Sequence, residues 1–368
     1  MEDRQLGQLL LMGIPGTELD PATAKRLAAL QPGGFILFSR NIQSPTQLRQ
    51  LIDDLRDLSE IEPIITIDQE GGRVSRLREI GHEPPNAVQL REKKDSRLIY
   101  RHGALTGQLL RLYGFNLDLC PVLDFSADEA ADNSLRGRTY GRHAQEVLAN
   151  AGVFNGQLRR QGIRSCGKHF PGYGGAEVDP HHELPVISRT LEEMEAEELT
   201  PYRTLLDELD SIMSCHAHYP AFDAATPGLP ASLSPRVLTQ FLRGQWGYRG
   251  LILTDDLDMG AILQGYSFED CIRLACTAGN DLMMICHRVE MVERAKEALR
   301  DVPEMTLDDR LASIRRFKKR LPKPQDFSVE QHEILNQQIW DLRVDTLGEE
   351  QARQRSPEDG KRSPVELY

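Results

Sequence analysis

The chain has no long apolar run. Leu9-Leu10-Leu11-Met12, near its start, is far too short to cross a bilayer. The charged opening, Met1-Glu2-Asp3-Arg4-Gln5, is not followed by the apolar core and cleavage site of an export signal. There is no Cys-x-x-Cys pair among Cys120, Cys166, Cys215, Cys271, Cys276 and Cys286, and their spacing does not resemble a disulfide framework. Cys120, Cys166, Cys215 and Cys286 fall in or beside strand-like runs, where a reduced thiol behaves as a small hydrophobe. These absences together lead us to expect a cytoplasmic protein. Basic clusters are also missing: 44 Lys and Arg stand against 56 Asp and Glu, a net charge of −12. Nucleic acid and anionic membrane both attract clustered cations, so neither is expected as a partner. A neutral or cationic small molecule fits better, although a local basic pocket is compatible with an anion. No fixed-period repeat is present.

What is present is an ordinary globular mixture, 40% hydrophobic and 27% charged over 368 residues. Eight short apolar runs read as strands: Leu9–Gly13, Gly34–Phe38, Ile64–Ile67, Leu117–Val122, Gly162–Gly167, Ser211–Cys215, Leu251–Thr254 and Asp281–Cys286. Amphipathic stretches lie between them, among them Thr46–Leu58, Ala144–Gln161, Leu191–Leu209 and Phe268–Ala278. Thr190 with Glu193 has the form of a capping box, and Gly279-Asn280 that of a helix stop. Eight such alternations predict an α/β fold of the (β/α)8 TIM-barrel type, with an open sheet as the runner-up. The barrel is expected over residues 1–325. A further helix packed on it is expected within 326–347, and a polar, structureless tail over 348–368.

Several of these runs end in ionisable groups, as the strands of a barrel do at its catalytic face. Leu251–Thr254 runs into Asp255 and Asp256. Side chains alternate along a strand, so one of the two faces the pocket and the other anchors a neighbouring loop or lysine. A pocket-facing carboxylate can serve as nucleophile or electrostatic stabiliser; the plainer role is a pair of caps for the next helix. Asp179-Pro180-His181 sets a carboxylate beside an imidazole, which favours the protonated ring and offers a general acid/base near neutral pH. His182 competes for that role. The long, initially glycine-rich segment Pro171–Pro185 around them is a candidate mobile loop.

Asp68-Gln69-Glu70-Gly71-Gly72-Arg73-Val74-Ser75-Arg76 ends another run. Asp68 is placed to accept hydrogen bonds from vicinal hydroxyls and Arg76 to donate to a substrate oxygen, while Gly71 and Gly72 permit backbone close to a ligand. Glu70 and Arg73 suit an ion-pair network tying loops together. Lys168 and His169, at a strand end, and Arg138 are further candidate donors. His216-Ala217-His218 puts two imidazoles on one strand face. With Asp255 they would make a partial ligand set for a metal-dependent hydrolase, but His216 fits a pocket wall better. No cofactor or metal is expected.

These segments, in this order, resemble glycoside hydrolase family 3, in its bacterial single-domain β-N-acetylhexosaminidase branch. The resemblance runs from about Gly7 to Cys286. It rests on Gly33–Ile42 with Arg40-Asn41, on Ile67–Val74, on Pro121-Val122-Leu123-Asp124 and on Lys168-His169-Phe170-Pro171-Gly172. It continues through Met213–His216 with Tyr219-Pro220, Pro230–Ser234, and Asp255-Asp256-Leu257 with Met259. The resemblance implies a retaining β-glycosidase on a TIM barrel. Its nucleophile falls on Asp255, its acid/base on His181 assisted by Asp179, and its sugar-binding set on Asp68, Arg76, Arg138, Lys168 and His169. It further implies an exo-acting enzyme that removes β-linked N-acetylglucosamine from cell-wall-derived muropeptides or other amino-sugar glycosides. A monomer is the default expectation, since the sequence leaves the oligomeric state open.

This chain departs from the family's usual pattern at Tyr173-Gly174-Gly175, Pro180 and Thr254, none of which changes a catalytic residue type. An imidazole acid/base becomes neutral on deprotonation and repels phosphate less than a carboxylate would, so phosphorolysis competes with hydrolysis as the expected reaction. The same residues are also compatible with a family 3 β-glucosidase and with a non-catalytic amino-sugar-binding barrel.

Overall fold

The structure is a computed structural model, and it describes residues 3–126, 134–172 and 184–356. Eight strands close into one barrel: β1 (Leu10–Gly13), β2 (Gly34–Leu37), β3 (Ile64–Ile67), β4 (Leu117–Asp118), β5 (Arg164–Phe170), β6 (Ser211–Ser214), β7 (Leu251–Asp256) and β8 (Leu282–Ile285). Every neighbouring pair is parallel and consecutive in sequence, and β1 closes the ring on β8 through Leu10–Met283 and Leu11–Met284. The closed ring rules out the open sheet. Nearly every strand residue is buried, because side chains pointing inward fill the barrel and those pointing outward meet the helices. This is why the strands read as continuous apolar runs rather than as alternating patterns.

Local sequence fixes the helix ends. Ser44 and Gln47 form a reciprocal capping box at the start of the helix Pro45–Asp57, and Thr190 and Glu193 do the same for Leu191–Ala196. Gly279, at φ +131°, stops the helix Phe268–Ala278. The expected helix Leu191–Leu209 is two short helices, Leu191–Ala196 and Leu199–Thr204, with the break at Glu197. Glu198, just past it, is buried and held by Arg189, so the interruption turns a carboxylate inward. Strand β4 is shorter than its apolar run, since only Leu117–Asp118 keeps ladder pairing, while Val122 bridges Lys168 separately.

The helix Val329–Leu347 packs against Ser96–Tyr113, with Leu335, Ile339 and Leu342 buried and the Tyr113 hydroxyl 2.7 Å from His332 Nδ1. Beyond it the tail begins with a further short helix, Glu349–Ala352, where no structure was expected. Arg343 is the reason: Nε donates to Ala352 O at 2.8 Å while Nη1 donates to Glu83 at 3.0 Å, clamping the chain end to the barrel. Among the described residues no helix is long and apolar enough to cross a membrane.

Candidate active site

The polar groups gather where β3, β4, β5, β6 and β7 end. Lys168, buried on β5, donates from Nζ to Asp68 Oδ1 at 2.6 Å and lies 2.7 Å from Glu70 Oε1. Arg138 grips Glu70 with two bonds, Nε to Oε2 at 2.8 Å and Nη2 to Oε1 at 2.7 Å. Arg76 Nη2 lies 3.8 Å from Asp68 Oδ2, with its guanidinium 5.7 Å from the Phe38 ring centre. The candidate sugar-binding residues Asp68, Arg76, Arg138 and Lys168 thus form one buried network, with Glu70 at its centre.

Burial by itself would raise the Glu70 carboxyl. The adjacent Arg138 and Lys168 cations outweigh it and hold the group well below the usual carboxylate range. Burial likewise disfavours the charged Lys168, yet Asp68 and Glu70 keep its ammonium above the ordinary lysine value. Gly71 (φ +105°) and Gly72 (φ +57°) have positive φ, and each sits against protein atoms. A Cβ on Gly71 would sit 2.4 Å from Pro85 O, and one on Gly72 2.6 Å from Asn86 Cβ, so their role is to let the hairpin Gln69–Gly71/Val74–Ser75 fold onto its own support.

His169 is turned by Asp124, a residue whose role the sequence did not disclose. Asp124 Oδ2 accepts from both the His169 backbone N–H (3.0 Å) and Nδ1 (2.7 Å). This fixes the proton on Nδ1. A neutral ring then presents Nε2 as an acceptor, and only the protonated ring donates there. Asp118, which sequence reasoning missed, accepts from Gln69 N at 3.1 Å and so holds the backbone directly after Asp68. Burial pushes its carboxyl up to about 7. Its only sequence signal is a carboxylate inside an otherwise apolar run.

The two adjacent aspartates separate as strand alternation requires. Asp255 is half-buried at the end of β7, whereas Asp256 is 4% exposed. Asp255 Oδ1 accepts from Asp256 N at 2.8 Å. Asp256 Oδ1 accepts from the Asp258 and Cys286 amides, both at 3.1 Å, which makes it a backbone anchor rather than a reactant. Burial, reinforced by nearby Asp258, pushes the Asp256 carboxyl well above its ordinary value.

His216 Nδ1 lies 2.8 Å from Ser232 Oγ and Nε2 lies 2.9 Å from Asp256 O, so both ring nitrogens face protein atoms. His218 Nδ1 meets Leu229 O at 3.0 Å. Each bond suits a wall that fixes the β6 and β7 ends. Among the described residues no cluster of His, Cys, Asp and Glu is arranged to hold a metal ion.

Asp179, His181 and His182 lie outside the described residues. The flanks of that segment are held close together. Tyr219 donates to Gly172 O at 2.8 Å on one side, and on the other Ile187 N donates to His218 O at 2.9 Å and His218 N to Pro185 O at 2.8 Å. Gly172, Pro185 and Ile187 are thus all tied to the loop after β6.

A closed parallel barrel carrying a cationic and carboxylate network, plus a separate half-buried carboxylate, at the carboxyl ends of its strands defines a TIM-barrel enzyme. Comparison with known proteins narrows the class. The model of the glycosyl hydrolase family 3 N-terminal domain matches residues 1–317. The beta-hexosaminidase of Alkalilimnicola ehrlichii is 35% identical over 312 residues, 83% of this chain and 88% of that one. The beta-hexosaminidase of Pseudomonas aeruginosa is 33% identical over 308 residues, 83% and 90% of the two chains. Among solved structures, the family 3 beta-N-acetylglucosaminidase of Paenibacillus sp. FPU-7 superposes with a TM-score of 0.85 at 29% identity, over 94% of this chain and 69% of that one. NagZ of Neisseria gonorrhoeae, in complex with N-trifluoroacetyl-D-glucosamine, superposes with a TM-score of 0.77 at 28% identity, over 91% and 97%. The chain belongs to glycosyl hydrolase family 3 and is a glycoside hydrolase.

Proposed function

We propose that the protein is a retaining, exo-acting β-N-acetylglucosaminidase that acts on amino-sugar glycosides such as cell-wall-derived muropeptides, as a cytoplasmic monomer. The observation that carries the reading is the division of labour at the strand ends. Asp255 is only half-buried, while Asp68, Glu70, Asp118, Asp124 and Asp256 at the same strand ends are buried and bound to a cation, an imidazole or backbone amides. The names of the similar hexosaminidases and the amino-sugar analogue bound in NagZ support the substrate class.

In this reading the sugar's hydroxyls are held by Asp68, Lys168, Arg138, Arg76 and His169. Asp255 attacks the anomeric carbon, and protonated His181, oriented by Asp179, donates its proton to the leaving oxygen. A covalent glycosyl-enzyme forms. His181, now neutral, takes a proton from water, which attacks the same carbon, releases Asp255 and leaves the β configuration unchanged. The ion-paired network orients its donors before substrate arrives, so little reorganisation is needed at the moment of reaction.

The test is hydrolysis of the p-nitrophenyl β-glycosides of N-acetylglucosamine and glucose by wild type and Asp255→Ala, with and without phosphate. Release from the acetamido sugar by wild type alone, with the β anomer formed first by NMR, is the expected result. Acceleration by phosphate would make the enzyme a phosphorylase, a preference for glucose would make it a β-glucosidase, and equal activity in Asp255→Ala would overturn the assignment of the nucleophile.

A further inference from the structure

Outside the catalytic network, between the hairpin after β3, the loop that carries Arg138 and the C-terminal helices, lies a cavity of about 220 Å³ that no step of the proposed reaction uses. Four arginines from separate segments line it: Arg73 from the hairpin after β3, Arg136 from the loop that carries Arg138, Arg343 from the C-terminal helix and Arg355 beyond it. The amide side chains of Asn86 and Gln89 complete the near wall, and among the described residues no carboxylate lines the space. In a chain of net charge −12, a concave surface whose described charged lining residues are all cations stands out.

The four arginines are not equivalent. Arg343 is committed to the chain: it binds Glu83 and the carbonyls of Ala352 and Gln354. Arg73 donates from Nη2 to Ser134 O at 3.0 Å. Arg355 donates from Nη2 to Arg78 O at 3.1 Å, with Nη1 3.7 Å from Glu79. Arg136 is exposed and has no hydrogen-bond or ion-pair partner among the described residues. The planar forks of guanidinium groups match the oxygens of carboxylate and phosphate groups.

We infer that this cavity is an oxyanion site, taking a carboxylate or phosphate group between Arg136, Arg73 and Arg355, with Asn86 and Gln89 beside it. Two sources share this chemistry: a free anion, and an acidic group on the aglycone of a substrate. The loops concerned connect the cavity to the catalytic network, because Arg73 lies three residues after Glu70 and Arg136 two before Arg138. An anion held here would therefore bridge the two loops that carry the Glu70–Arg138 pair.

Calorimetric titration of the full chain with inorganic phosphate tests the site directly. Wild type should bind one equivalent. Arg136→Ala, on the surface and outside the network, should keep its Tm and lose affinity about tenfold or more, with Arg136→Lys between the two. Absence of binding, or the same affinity in Arg136→Ala, would overturn the site. The source is read from KM for two β-N-acetylglucosaminides, one with a neutral and one with a carboxylate-bearing aglycone. If Arg136→Ala raises KM for the acidic one only, the site belongs to the substrate; if KM is unchanged while phosphate binding is lost, it belongs to a free anion. The KM arm rests on the proposed glycosidase activity. The titration does not, so failure of either is distinguishable.

Discussion

The ammonium of Lys168 donates to Asp68 Oδ1 at 2.6 Å, and the two residues come from strands that are not neighbours in the barrel, β5 and the end of β3. Lys168 has little access to water, and it owes its charge to Asp68 and Glu70. Removing one partner leaves an uncompensated buried charge, which is far costlier than never having built the pair.

Lys168→Met should therefore lose stability by about 3–5 kcal/mol as well as activity. Urea unfolding at neutral pH checks the first and initial rates on the acetamido glycoside the second. A Lys168→Met variant as stable as wild type would show that the network is not a folding element.

Asp255→Ala should behave in the opposite way. Asp255 is half-buried, and a carboxylate contributes little apolar packing, so its loss removes chemistry more than packing. Activity should fall on the order of a thousandfold or more with the Tm nearly unchanged. A large drop in Tm would instead assign Asp255 to the scaffold.

His102 supplies a pH signature. It is completely buried against the Phe154 ring, and burial lowers its imidazole to about 3. The unfolded state then binds the extra proton, so the stability from this site is present above the unfolded value of 6.5 and is lost as pH falls toward 3. Between neutrality and about pH 4.5 the site alone should cost about 3 kcal/mol. Denaturant midpoints at the two pH values, compared with those of His102→Leu, check it: the variant should lose less on acidification than wild type.

Asp118 has the reverse sign. Its folded value is raised to about 7 by burial, so the folded state holds the extra proton. That contribution is full below the unfolded value of 3.8 and is lost as pH rises through about 7. Asp118→Asn keeps an oxygen to accept from Gln69 N and removes the titration. It should be more stable than wild type at pH 8 by roughly 1–4 kcal/mol, with a smaller difference near pH 5. Thermal melts at the two pH values decide it.

Much of this architecture is legible in the residues. All eight barrel strands overlap the short apolar runs, because strands buried on both faces are mostly apolar, but β5 and β7 run past theirs to Phe170 and Asp256 and carry Lys168, His169 and the aspartate pair at their ends. The caps at Thr190 and the stop at Gly279 are local hydrogen-bond and φ requirements, and they hold. The helix broken at Glu197 was not legible, since the reason for the break is a salt bridge from Glu198 to Arg189 and a buried environment supplied by the fold. At the site, Asp68, Lys168, Arg138 and Arg76 could be picked out as polar groups at strand ends, but not as one network. Their separations along the chain, up to 100 residues between Asp68 and Lys168, carry no information about a 2.6 Å contact.

What the sequence by itself determined is therefore the alternation of strand and helix, the number of units and the kinds of group presented at each strand end, all of which follow from periodicity and local backbone chemistry. Tertiary structure alone decided which of two adjacent aspartates stays open. Strand alternation separates Asp255 from Asp256, but only the closing of β7 against β8 supplies the Cys286 amide that claims Asp256. It also decided that Glu70 is the hub between Lys168 and Arg138, and that Asp124 sets the tautomer of His169. The physical reason is common to all three. A charge buried beside a barrel mouth takes its state from partners that the strand order brings to within 3 Å, and that order exists only once the ring is closed.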